Sequence, residues 1–166
     1  MARSAYLDAL HLLARRALTV AECRARLLER QHAADDVEAA IAHLLENRGL
    51  DDQRLAESYA RSASDIKGRG RLRILRELAA RGVDKTVAAE AVGEFFGEKD
   101  ERALVSQALK KRLRGRPQPA GPADYARLYQ YLMRQGFTPA VIVSVLRGLR
   151  RQGGGASRLE PDDELQ

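Results

Sequence analysis

The chain is expected to be all-α. Alanine, leucine, arginine and glutamate dominate its 166 residues, alternating apolar and polar runs are scarce, and apolar residues return at three- and four-residue intervals along most of its length. Its 45% hydrophobic content is enough, at this length, to bury a core.

The first helix is expected over residues 4–17. Thr19 then begins a T-x-x-E capping box with Glu22, which opens the second helix. Gly49 followed by Asp51-Asp52 supplies a helix stop and a helix start, so another helix is expected over 51–64. Residues 67–83 read KGRGRLRILRELAARGV, a glycine-broken entry with five basic residues in ten positions. Lys67, Arg69, Arg71, Arg73 and Arg76 supply charge, while Leu72, Leu75, Leu78 and Ala79 recur at helical spacing, which predicts a buried helix with a cationic outer surface. Gly82 ends that helix and Asp84 caps the next. A further helix over 98–114 finishes in the run Lys110, Lys111, Arg112, Arg114 and Arg116, beyond which the three prolines of GRPQPAGPA (115–123) force a non-helical connection. From Gly153 the chain reads GGGASRLEPDDELQ, a composition expected to be disordered.

The helices repeat. Aligning the stretches that start at Cys23, Ile74 and Leu128 brings together Cys23/Ile74/Leu128, Leu27/Leu78/Leu132, Val37/Ala88/Ile142, Ile41/Val92/Leu146 and Leu44/Phe95/Leu149 without a gap. Between the second and third sets lies a turn holding Gln31, Gly82 or Gly136. Neither helix of such a pair buries its apolar face alone, so a period near fifty residues marks an internal repeat. With the upstream helices added, three three-helix units are expected, at 1–49, 50–97 and 98–151, followed by an acidic tail at 152–166.

The net charge is +6, yet the tail sets Arg158 against Glu160, Asp162, Asp163 and Glu164, which leaves the body at +9. That surplus favours contact with a polyanion. There is no apolar run long enough to span a bilayer, and the N-terminal stretch continues as an amphipathic helix without a small-residue cleavage site, so a cytoplasmic location is expected. Cys23, the single cysteine, offers neither a disulfide nor a metal pair.

Together these features resemble the RecX family, the bacterial regulators of the RecA recombinase. The resemblance rests on RGLDDQRLAESY (48–59), which is similar to the family's junction pattern through Gly49, Leu50, Asp51, Asp52, Arg54, Ala56 and Tyr59, on KGRGRLRILRELAARGV, and on YLMRQGFTPAVIVSVL (131–146). Gln31 stands where the family usually has glycine, and Leu55 where an aromatic residue is common. The resemblance implies a curved, elongated stack of three-helix units that enters the groove of the RecA–DNA filament, limits its extension and lowers its ATPase and strand-exchange activity.

The candidate contacts with RecA or DNA are Lys67, Arg69, Arg71, Arg73, Arg76, Arg81, Lys110, Lys111 and Arg112. The expected partners are the RecA filament and, non-specifically, DNA; the chain is expected to act as a monomer, without membrane, cofactor or metal and without catalysis. Asp51 and Asp52 have no third carboxylate or histidine at a useful spacing, and capping accounts for both. His11, His32 and His43 form no ligand pattern, and Gly68-x-Gly70 lacks the rest of a nucleotide loop. Tyr125 and Tyr129 share a face with Leu128 and Leu132, which points to core packing rather than base stacking. The alternative function is an autonomous helix-turn-helix DNA-binding protein. Against it, residues 71–81 carry no Asn, Gln or Ser with which to read bases.

Overall fold

Nine helices and no strand occur among the residues that the computed structural model describes, 4–97 and 99–154. They are α1 (Ala5–Arg15), α2 (Val20–Glu29), α3 (Ala34–Glu46), α4 (Asp52–Asp65), α5 (Arg71–Ala80), α6 (Lys85–Gly97), α7 (Glu101–Leu113), α8 (Pro122–Gln135) and α9 (Pro139–Gly154). The tail expected from residue 152 is corrected at its start, where Gln152, Gly153 and Gly154 close α9, and the rest of it lies outside the described residues.

The helix starts follow local chemistry. Ser4 accepts the Leu7 N–H, Asp51 that of Arg54 and Asp100 that of Arg102, each side chain satisfying an amide that the first turn leaves without a partner. The Thr19–Glu22 capping box is complete: Oγ1 accepts the Glu22 N–H at 3.0 Å while the Glu22 carboxylate accepts the Thr19 N–H at 3.1 Å. Asp84 caps α6 through the Thr86 and Val87 amides. Pro122 occupies the first turn of α8, where its missing N–H costs nothing.

Three core clusters correspond to the helices in threes. The first joins Ala9 and Leu12 of α1 to Cys23 and Leu27 of α2 and to Val37, Ile41 and Leu44 of α3. The second joins Ala56 and Ala60 of α4 to Ile74 and Leu78 of α5 and Ala88 and Val92 of α6. The third joins Val105 and Leu109 of α7 to Leu128 and Leu132 of α8 and Ile142 and Leu146 of α9. Of the fifteen aligned apolar positions, all but Phe95 and Leu149 are buried, and those two are half-buried against their own clusters. Tyr125 and Tyr129 pack against the third cluster, in agreement with the core reading.

The turn inside each pair is also the same. Gln31, Gly82 and Gly136 have φ of 64°, 78° and 88°, and one residue later the amides of His32, Val83 and Phe137 donate to the carbonyls of Leu27, Leu78 and Leu132. This is a left-handed helix stop whose back-reaching bond satisfies a terminal carbonyl. Gln31 adopts it despite its Cβ.

One expectation is corrected. Leu72 is 46% exposed and Ala79 is exposed, whereas Ile74 and Leu78 are buried. At 100° per residue, Leu72 and Ala79 lie roughly 140–160° around the helix from Ile74. Of the expected set, Leu78 lies in the core and Leu75 borders it.

Within the described residues, 4–67 with 74–97 make one compact body, and 68–73 with 99–154 make a second.

Candidate functional site

In the first body the junction motif holds two three-helix groups together. A Cβ on Gly49 would approach Leu44 Cδ2 to 2.9 Å, so a side chain there requires that leucine to shift, and the Gly49 amide donates to Asn47 Oδ1. Leu50 is buried in the first cluster and Ala56 in the second. Asp51 caps α4, and Arg54 Nη2 donates to the Arg48 carbonyl at 3.2 Å. Asp52 reaches back to α2, where its Oδ1 accepts the Val20 N–H at 3.0 Å; burial raises its pKa above the ordinary aspartate range, although this bond opposes the shift.

Arg81, at the end of α5, completes the joint. Its guanidinium donates to both Glu22 oxygens, at 3.0 Å and 2.8 Å, and also to the Ala17 carbonyl at 3.3 Å, while its own carbonyl accepts the Thr19 hydroxyl at 2.7 Å. These bonds lower the Glu22 pKa and raise that of Arg81 further. The Tyr59 hydroxyl donates to Glu77 at 2.8 Å, and its ring lies 5.7 Å from the Arg81 guanidinium and 6.0 Å from Lys67 Nζ. A Cβ on Gly82 would come within 2.5 Å of that of Ala21, so only glycine permits this approach. Each motif residue thus has an internal use. The sequence signalled the capping box but not the arginine that locks it, because the partner is 59 residues away.

The basic stretch divides by environment. In the second body, residues 68–73 run against the α8–α9 turn: the Gly70 amide donates to Gln135 O at 2.7 Å and the Leu72 amide to Gly136 O at 3.1 Å. A Cβ on Gly70 would meet the Gly136 carbonyl carbon and oxygen at 2.6 Å, so the two backbones touch. Arg73 Nη1 bonds Gln135 Oε1 at 3.2 Å and Arg134 O at 3.4 Å, and Arg69 is half-buried. Lys67, Arg71 and Arg76 are exposed. Lys110, Lys111 and Arg112 are exposed on the last turn of α7, where the helix dipole favours cations, and Arg112 lies 5.1 Å over the Tyr131 ring.

No group of three His, Cys, Asp or Glu is placed to hold a metal among the described residues. Burial pushes the Cys23 thiol up, which favours its unreactive form. His32 bonds Asp8 at 3.0 Å, His43 stacks on Tyr6, and His11 sits against the Leu7 carbonyl. Nor is any helix among the described residues long and apolar enough to cross a membrane.

Repeated three-helix groups, each with the same left-handed stop, define a protein of tandem three-helix domains. Comparison with known proteins gives the family. Residues 5–44, 51–92 and 99–146 match the models of the first, second and third three-helix domains of RecX. The regulatory protein RecX of Chromohalobacter salexigens is 39% identical over 132 residues, 78% of this chain and 82% of that protein. That of Amycolatopsis mediterranei is 30% identical over 152 residues, covering 91% and 86%. The crystal structure of RecX from Lactobacillus salivarius shares the fold, with a TM-score of 0.73 at 21% identity over 89% of this chain and 95% of that one. The chain belongs to the RecX family, and these relatives are named regulatory proteins.

Proposed function

We propose that this protein regulates the RecA recombinase by binding the groove of the RecA–DNA filament, and that it inhibits RecA's ATPase, filament extension and strand exchange without catalysing a reaction. It would thereby modulate recombination and DNA repair. The observation that carries the reading is the match of three RecX domains, in order, along residues 5–146. We assign one three-helix unit to each of 1–49, 50–97 and 98–151; the three core clusters support this division except at Leu50, which packs into the first cluster. A filament groove repeats along its length, and tandem domains offer repeated contacts to it.

The contacts are assigned to exposed cations, Lys67, Arg71 and Arg76 of the basic stretch and Lys110, Lys111 and Arg112 of α7. Coulomb attraction by such residues speeds encounter with a polyanionic assembly and leaves specificity to shape. Arg73 and Arg81 have structural partners, so their removal would disturb packing as well as charge. Co-sedimentation with preformed RecA–DNA filaments tests the reading. The protein is expected in the filament pellet; protein left in the supernatant at filament excess would overturn the reading.

A further inference from the structure

The second body contains an arginine-walled cavity that the family's basic stretch does not include. It measures about 200 Å³ and lies where α7 gives way through the Pro117–Pro119 loop to α8. Three guanidinium side chains line it from three successive elements: Arg112 on α7, Arg116 in the loop and Arg127 on α8. Gly115, with φ of 70°, turns the chain out of α7, and the Arg116 amide closes the turn on the Leu113 carbonyl at 2.9 Å.

The geometry points to this cavity as a binding site for a phosphodiester group of a nucleic-acid backbone. Arg112 lies over the Tyr131 ring, its guanidinium carbon 5.1 Å from the centroid, a cation–π contact that leaves its N–H donors available for hydrogen bonds. Arg127 is held by Asp124, with Nη1 3.3 Å from Oδ1; the other oxygen of that carboxylate accepts the Ala120 amide at 3.2 Å. Asp124 is therefore already shared between two donors, and it is the only acid against three arginines in the lining. Pro117 and Pro119 form part of the wall, and their fixed φ reduces the entropy lost when a ligand orders the loop. Planar guanidinium forks match pairs of phosphate oxygens. A volume below the roughly 300–1,000 Å³ usual for enclosed small-molecule sites favours one phosphate of a chain passing across the surface.

The site shares Arg112 with the filament reading, so its test uses DNA without RecA and its failure is distinguishable from failure of that reading. Fluorescence anisotropy of a labelled, mixed-sequence single-stranded oligonucleotide would compare the wild type with Arg112→Gln/Arg116→Gln/Arg127→Gln. The comparison variant, Arg147→Gln/Arg150→Gln/Arg151→Gln, removes the same charge from exposed positions on α9 outside the cavity. One phosphate held by three guanidinium groups predicts that the cavity variant binds at least about tenfold more weakly and that its salt slope falls by about 0.7. The α9 variant should stay within about threefold of wild type. If the cavity variant does not reproduce the wild-type circular dichroism melt, Arg116→Gln alone should still weaken binding and lower the slope by part of that amount. Wild-type binding by the cavity variant, or an equal loss in the α9 variant, overturns the proposal. So does displacement of the oligonucleotide by micromolar inorganic phosphate at constant ionic strength, which would mark a small-anion site instead.

Discussion

Glu22 and Arg81, 59 residues apart, form a two-contact ion pair in which Nε and Nη2 meet the two carboxylate oxygens at 3.0 Å and 2.8 Å. The pair sits beside the Thr19 hydroxyl bond to the Arg81 carbonyl and so connects the start of α2 to the end of α5. Both side chains are largely withdrawn from water, at 20% and 23% exposure. A partly buried, bidentate pair contributes more than a surface one, because solvent screens it less and two bonds share one geometry.

Arg81→Ala should therefore cost about 2 kcal/mol in urea unfolding, in the range for hydrogen bonds to charged groups. Arg81→Lys should recover less than half of that, since an ammonium cannot make the parallel contacts. A double-mutant cycle with Glu22→Gln should return a coupling of about 1–2 kcal/mol; additivity would show that the pair contributes nothing of its own.

The response to acid follows from two carboxylates with opposite shifts. Glu22 is depressed, chiefly by the Arg81 bond, so its contribution is present above the unfolded glutamate pKa and is lost as pH falls through the folded value. Asp52 is raised by burial, so the native state binds its proton more readily than the unfolded chain does, and acidification favours folding at that site. Going from neutral pH to about pH 3, Glu22→Gln should flatten the loss of stability, whereas Asp52→Asn should steepen it. Denaturant midpoints at several pH values decide this, and a flatter profile for Asp52→Asn would contradict the assignment.

The three left-handed stops give a ranked series. Gln31→Gly removes the Cβ strain of a residue at φ 64° and should gain up to about 1 kcal/mol, the added unfolded-state freedom offsetting part of the relief. Gly82→Ala should be destabilising, because the new Cβ meets Ala21 at 2.5 Å. Gly136→Ala should be the most damaging, since its Cβ would collide with the Arg73 backbone nitrogen. Thermal melts give the order, and a stabilising Gly136→Ala would refute it.

Leu27, Leu78 and Leu132 occupy one position of the repeat and are each fully buried in their own cluster. Replacement of any one by alanine should cost about 2–5 kcal/mol through the cavity left behind. A member that costs under about 1 kcal/mol would show that its site is not equivalent to the other two.

Periodicity made most of the fold legible. The aligned sets around Cys23, Ile74 and Leu128 recur because each unit buries its helix pair in the same way, and Thr19, Asp51 and Asp84 are signals whose partners lie within three residues. Leu72, Leu75 and Ala79 share one helical face, but the buried face is the one holding Ile74 and Leu78, and spacing alone does not say which of two apolar stripes turns inward. The roles of charged residues were less legible. Arg73 and Arg81 read as surface cations, yet their partners lie about sixty residues away, at Gln135 and Glu22. Nothing local to either arginine reports such a partner. A separation of 32 residues likewise conceals Asp52's service to the Val20 amide, which capping of its own helix does not require.

Regulation of RecA is tested most directly by RecA's DNA-dependent ATPase rate with this protein titrated from below to above the RecA concentration. The reading predicts that the rate falls progressively and is suppressed by stoichiometric protein. It also predicts a weaker effect from Lys67→Ala/Arg71→Ala/Arg76→Ala, whose side chains are exposed. An unchanged rate at excess folded protein would contradict it.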